Sequence, residues 1–464
     1  MTHISKLPAL RRREFLKRAS AVSIAGTAAP WALQLAAIGE AAAAAAPGDY
    51  KAIVCLFMYG GNDYGNTVIP YDTANYQAYA NIRQALAIPR EQLAATALTP
   101  SLALPDGRQL ALAPTMNRLK PVFDAGRLGV MLNIGPLMQP TTLAQYKAAN
   151  VPLPPKLFSH NDQSSLWQSS RPEGATSGWG GRLADQFLAS NGNATFSCIN
   201  VSGNAVFMSG GQAVQYQMSA GGAVAINGAN RSLFGSAACA EALRGMITGE
   251  RQHWMEQELN RVTARSVNAQ GTITTALATT TLQTPFETNG NGLASQLQTV
   301  ARLIGARASL GVKRQVYFVS IGGFDLHDNL MSQQPVLLGN VGSAMASFDA
   351  ALVELGVAPN VTTFTASDFG RTLSSNGDGS DHGWGSHHLV MGGAVKGGRF
   401  YGTAPTVAVN GPDDVGQGRL LPTTSVDQLA ATLALWMGVP AGDLPGILPG
   451  IVNFSQKDLG LFAA

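Results

Sequence analysis

Three apolar runs in this chain end in turns that carry metal-ligand residue types. Residues 52–59 lead into Gly60-Gly61-Asn62-Asp63. Residues 316–321 lead into Gly322-Gly323-Phe324-Asp325-Leu326-His327, and residues 361–366 into Ser367-Asp368-Phe369-Gly370-Arg371. A fourth cluster, Asp381-His382-Gly383-Trp384-Gly385-Ser386-His387-His388, precedes another apolar run. Carboxylates and imidazoles without thiolates suit Zn, Mn or a similar divalent ion, and Mg or Ca less well where histidines dominate. Two ions side by side would be natural for phosphate-type chemistry.

The candidate metal ligands are Asp63, Asp325, His327, Asp368, His382 and His388. Asp325 and His327 form the most specific pair, because alternation along an extended segment puts both side chains on one side. Within the fourth cluster His382 is favoured, and the spacing does not rank His387 against His388. Arg371 is a candidate partner for an anionic substrate group. Ser159 opens Ser159-His160-Asn161-Asp162-Gln163 and is a candidate nucleophile toward a phosphorus or sulfur ester. Each also has a plainer role: Asp63 as a turn former, Ser159 as a helix cap, Arg371 as a structural ion pair. Of the six histidines beyond His3, only His253 lies outside these motifs.

For these residues to meet, the apolar runs must be neighbouring strands. Continuous runs of this kind read as buried parallel strands, and the carboxyl ends of such strands converge on one crevice. The fold class is therefore α/β: a central, mostly parallel sheet flanked by helices. Strands are expected at 52–59, 128–134, 195–201, 316–321, 361–366 and 389–392. Helices are expected near 75–86, at 116–125, 240–267, 292–308 and 342–355, and after the capping box Ser425-Val426-Asp427-Gln428. Residues 170–289 are rich in Gly, Ser, Ala and Thr and read as an inserted cap or lid, with 272–284 as a loop.

The amino terminus resembles a twin-arginine export signal. Arg12-Arg13 forms the pair, a mildly apolar stretch follows, and an alanine run at 41–46 offers a cleavage site before Pro47. This gives a signal peptide at 1–46 and a mature domain at 47–464, with the twin-arginine translocase as export partner and a periplasmic or extracellular destination. No later run reads as a stable membrane span. The chain of 464 residues carries a formal charge of +3, and the signal contributes +4 of it, so the mature part is near −1. That balance gives no basic excess for nucleic acid. Cys55 reads as a buried small hydrophobe, and Cys198 and Cys239 are a candidate disulfide in an oxidising compartment.

Together these motifs, with the trailing Gly392-Gly393-Ala394-Val395-Lys396-Gly397-Gly398, resemble a bacterial family of twin-arginine-exported proteins (domain of unknown function 1501) grouped with the alkaline phosphatase and sulfatase superfamily. The resemblance implies an alkaline-phosphatase-like fold with two divalent metals. Asp63, Ser159 and Asp368 would match one metal position, with Ser159 as nucleophile. Asp325, His327 and a histidine of the 382–388 loop would match the other. The chain departs from that pattern at Phe369, where alkaline phosphatases carry histidine after the last strand-end aspartate. The function implied is a secreted, metal-dependent hydrolase of a small phosphate or sulfate ester. The alternative is a non-catalytic exported protein serving in binding or surface assembly.

Overall fold

Strand β1 (Lys51–Met58) buries every residue after its first. Its alternation separates two cores. Ala52, Val54, Leu56 and Met58 enter one, with Leu297 and Ile304 of helix Gly292–Gly305 and Phe348 of helix Leu330–Glu354. Ile53, Cys55 and Phe57 enter the other, with Trp179 of helix Trp179–Asp185 and Leu429 and Leu433 of helix Val426–Met437. A strand covered on both faces needs apolar residues at every position, which explains the unbroken run.

The computed structural model describes residues 49–463, so the twin-arginine segment lies outside the described residues. From Tyr50 onward the chain is one compact unit. The remaining strands are β2 (Val68–Pro70), β3 (Leu110–Leu112), β4 (Leu128–Gly135), β5 (Cys198–Asn200), β6 (Tyr216–Gln217), β7 (Arg314–Ile321), β8 (Val361–Ser367), β9 (Ser386–Met391), β10 (Arg399–Tyr401) and β11 (Thr424–Ser425). Nine of the strands form the central sheet in the order β10-β4-β9-β8-β1-β7-β5-β6, with β11 also on β4; β2 and β3 pair separately. The expected α/β class with a mostly parallel sheet is what the structure contains.

One strand is reversed. β9 runs antiparallel to both β4 and β8. Its amino end, Ser386, lies opposite Ile134 near the carboxyl end of β4. The 381–385 segment therefore enters the sheet at the edge where β1, β7 and β8 leave it. Gly60 lets two of those exits touch: its φ is +113°, and a Cβ there would sit 2.4 Å from the Asp325 backbone nitrogen.

Several local expectations need correction. The helix expected at 116–125 is a 3-10 segment, Pro114–Leu119, followed by a short helix, Lys120–Asp124, with Met116 non-helical between turns. The helix expected at 240–267 is two helices, Ala237–Thr248 and Trp254–Thr279, broken after Gly249. The second runs through most of the threonine-rich stretch expected as a loop, because Ile273, Ala276 and Leu277 bury a stripe against the core and outweigh weak threonine propensity. The helix expected from 342 starts at Leu330 and contains Pro335. By length and composition it is the only helix among the described residues suited to cross a membrane, yet over half of its most apolar window is buried in the chain. Segment 170–289 is divided: its first part supplies helix Trp179–Asp185, β5 and β6 to the central layers. Cys198 and Cys239 are both free thiols. The first is buried in β5, while the second is exposed on helix Ala237–Thr248.

Candidate metal centre

At the converging strand ends three imidazoles meet around Asp325. His160 is the first residue of helix His160–Ser169, His327 follows the β7 exit, and His382 lies in the loop before β9. His382 Nε2 is 3.1 Å from His160 Nε2 and 2.9 Å from His327 Nε2. Asp325 Oδ1 lies 3.1 Å from His327 Nε2 and 3.2 Å from His382 Nε2, and its Oδ2 lies 3.4 Å from His160 Nε2. The donor atoms of His160, Asp325 and His382 all fall within 4.8 Å of one another.

The outward nitrogens explain the inward ones. His160 Nδ1 is 2.7 Å from Asp368 Oδ2, His327 Nδ1 is 3.2 Å from Asp381 Oδ1, and His382 Nδ1 is 2.8 Å from the Phe158 carbonyl oxygen. Each of these oxygens accepts, and in the tautomer that donates to it from Nδ1 the ring carries a bare lone pair at Nε2. Bare lone pairs at about 3 Å repel, and a shared cation removes that repulsion. Ligands 2.0–2.1 Å from a tetrahedral zinc would sit roughly 3.3 Å apart, close to what the side chains display. Imidazole backed by a carboxylate or carbonyl is the usual support of a metal-binding histidine. The donors present therefore fit a divalent ion.

Charge is balanced in the same places. Hydrogen bonding to Asp368, working against burial, raises the His160 pKa above its ordinary value. Burial lowers that of His382, partly offset by the Phe158 carbonyl. For Asp325, burial pushes upward, but Arg371 together with His160 and His327 brings the carboxyl below the usual range. Arg371 is fully buried, and its Nη1 donates to Asp325 Oδ1 at 2.8 Å.

The structure gathers Asp325, His327 and His382 of the expected ligands and sets Asp368 behind His160. It does not bring Asp63 or His388 to the cluster. Asp63 Oδ2 accepts from Arg83 Nη1 and Nη2 at 3.1 and 3.0 Å and from Ser380 Oγ at 2.5 Å, while Oδ1 caps the turn at Asn66. His387 and His388 are both enclosed in β9. Asn133 N–H donates to His387 Nδ1, and His388 packs edge-on to Trp167 and bonds Thr365 Oγ1. Ser159 Oγ donates to Asp162 Oδ2 at 2.9 Å. Sequence reasoning gave Ser159 the role beside His160 and did not select His160 itself, although the Ser-His-Asn-Asp motif contained it. Arg83, twenty residues from Asp63, carried no signal beyond being a basic residue at a helix end.

A family model described as protein of unknown function (DUF1501) matches residues 50–444. The chain belongs to this DUF1501 family. No curated protein matches it. Similar solved structures include Ps i-CgsB in complex with k-i-k-neocarrahexaose (TM-score 0.34, 9% identity, 88% of this chain and 77% of that one). Another is the PsFucS1 sulfatase from Pseudoalteromonas sp. (TM-score 0.35, 10% identity, 89% and 72%). A third belongs to glycosaminoglycan metabolism by Bacteroides thetaiotaomicron (TM-score 0.32, 11% identity, 86% and 74%). The fold class of this DUF1501 chain rests on its own sheet order.

The two enclosed histidines set the acid stability of the protein. Burial lowers the His387 pKa to about 4 and that of His388 to about 3. The unfolded chain takes up protons at these positions below about pH 6.5 while the folded chain refuses them, so acidification destabilises the fold. Asp427 opposes this, since burial raises its pKa to about 6 and favours the folded state as pH falls from 6 toward 3.8. Two histidines outweigh one aspartate. Urea unfolding is expected to lose about 2 kcal/mol of stability between pH 7 and pH 5; an unchanged midpoint would contradict neutral burial of both rings.

Proposed function

We propose that this is an exported, metal-dependent hydrolase of phosphate or sulfate esters, with one divalent ion, Zn or Mn, held by His160, Asp325, His327 and His382. The observation that carries this reading is the convergence of three imidazole Nε2 atoms on one carboxylate, each ring backed at Nδ1 by an acceptor oxygen. An ion so held would supply Lewis-acid polarisation of an ester oxygen. Ser159 is the proposed nucleophile: it directly precedes His160, and its hydroxyl already points its proton at the Asp162 carboxylate. Attack by Ser159 Oγ on phosphorus or sulfur would pass that proton to Asp162 and break the bond to the ester alkoxide, which takes a proton from solvent and leaves as the alcohol. Water would then cleave the serine ester. Export through the twin-arginine translocase belongs to the same proposal.

The test begins with metal analysis of the exported protein, followed by aryl phosphate and aryl sulfate turnover by the wild type and Ser159→Ala. Near-stoichiometric metal in both proteins, with turnover lost by about a thousandfold or more in the variant, would support the reading. A folded wild type that takes up neither Zn nor Mn would sink it. Full metal occupancy without turnover of either ester would favour the binding or surface-assembly role. Asp368→Asn keeps the shape behind His160 but removes the charged acceptor of its Nδ1 proton. Its metal affinity, measured by competition with a chromogenic chelator, is expected to fall roughly tenfold to a hundredfold.

A further inference from the structure

Arg371 reads in sequence as a partner for an anionic substrate, yet its guanidinium has no access to one. The side chain is fully buried, and all three of its nitrogens donate to groups within the protein. Nη1 donates to Asp325 Oδ1 at 2.8 Å and to the Gly60 carbonyl at 3.1 Å. Nε donates to the Ser380 carbonyl at 3.0 Å and to Ser380 Oγ at 3.2 Å, and Nη2 donates to the same carbonyl. One planar fork thus joins the exits of β1, β7 and β8 to the loop before β9. The backbone of Arg371 adds a second tie, because it forms an antiparallel bridge with His382. Arg371 therefore touches one donor residue of the cluster through its side chain and another through its main chain.

The connection continues inward. Ser380 Oγ, which accepts from Arg371, donates to Asp63 Oδ2, and that oxygen is held by buried Arg83. We infer that Arg371 is the positioning residue of the metal centre, aiming Asp325 and His382 at the ion, and that Ser380 and Asp63 anchor it from behind. This rests on the metal reading above. A guanidinium suits the task because a rigid fork can satisfy a carboxylate and two carbonyls from one place, whereas a lysine ammonium offers a single flexible point.

The experiment uses the full mature chain and Co(II) as the probe, read by its visible absorption bands, beside thermal unfolding of the metal-free protein. Arg371→Met leaves no buried charge stranded, because Asp325 is 45% exposed. It is expected to weaken Co(II) binding roughly tenfold to a hundredfold and to shift the bands. Arg371→Lys should restore part of the affinity but not the wild-type spectrum. Should Arg371→Met fail to fold, Ser380→Ala removes only the hydroxyl link and is expected to change the spectrum with a smaller loss of affinity. Wild-type spectra and affinities in all folded variants, with only a lower melting temperature, would reduce Arg371 to a structural cation and overturn the inference. A wild type that binds no Co(II) at all would instead refute the metal centre itself.

Discussion

Asp325→Ala is expected to abolish the metal binding proposed above. The carboxylate is the single group that faces all three imidazoles, one oxygen toward His327 and His382 and the other toward His160. It is also the only anion of the donor set, so its loss leaves three neutral rings and the buried positive charge of Arg371 nearby. Affinity should drop by at least about a thousandfold, on the order of 4 kcal/mol. Metal per chain after dialysis should fall from near one to below about one tenth. The metal-free fold should lose stability as well, because buried Arg371 then keeps only Ser380 and the Gly60 carbonyl as partners, so unfolding of the apoprotein is measured alongside. Metal retained at wild-type stoichiometry would show that the imidazoles do not share an ion with this carboxylate.

Asp63→Ala should act on the fold before it acts on the metal. Arg83 is fully buried, and Asp63 supplies its one charged partner at 3.0 Å. Thr372 and Leu373 carbonyls remain at 3.3 and 3.4 Å, too weak a pair to replace a carboxylate. Removing one member of a buried ion pair costs about 3–5 kcal/mol, a large share of the stability of any domain. Chemical unfolding should register that loss directly. The double variant Asp63→Leu with Arg83→Met should recover much of it, because both charges then leave together. If Asp63 were a metal ligand, the single variant would instead keep its unfolding midpoint as apoprotein and lose the ion.

The two outcomes separate what the sequence made legible from what it hid. Strand-end turns bearing Asp325-Leu326-His327, Asp368 and Asp381-His382 could be read because apolar runs with glycine exits declare both the strand and the edge at which it ends. Asp63 has the same local signature, and only its partner distinguishes it. That partner closes helix Thr73–Arg83, where a cation is ordinary for electrostatic reasons. His387 and His388 point to opposite faces of β9, and both are enclosed because the strand lies between β4 and β8. No alternation in the sequence could have separated them from a ligand. The reversal of β9 was equally hidden, since a short apolar run carries no direction of its own.

That reversal has a further effect on how the site is assembled. Because β8 leaves and β9 enters the sheet at one edge, the excursion between them never crosses the molecule. Residues 368–385 thereby bring Asp368, Arg371, Asp381 and His382 to the centre as one uninterrupted length of chain. The groups that support the site, together with the donor His382, are thus carried on one continuous segment, while His160, Asp325 and His327 reach it from separate strand and helix ends.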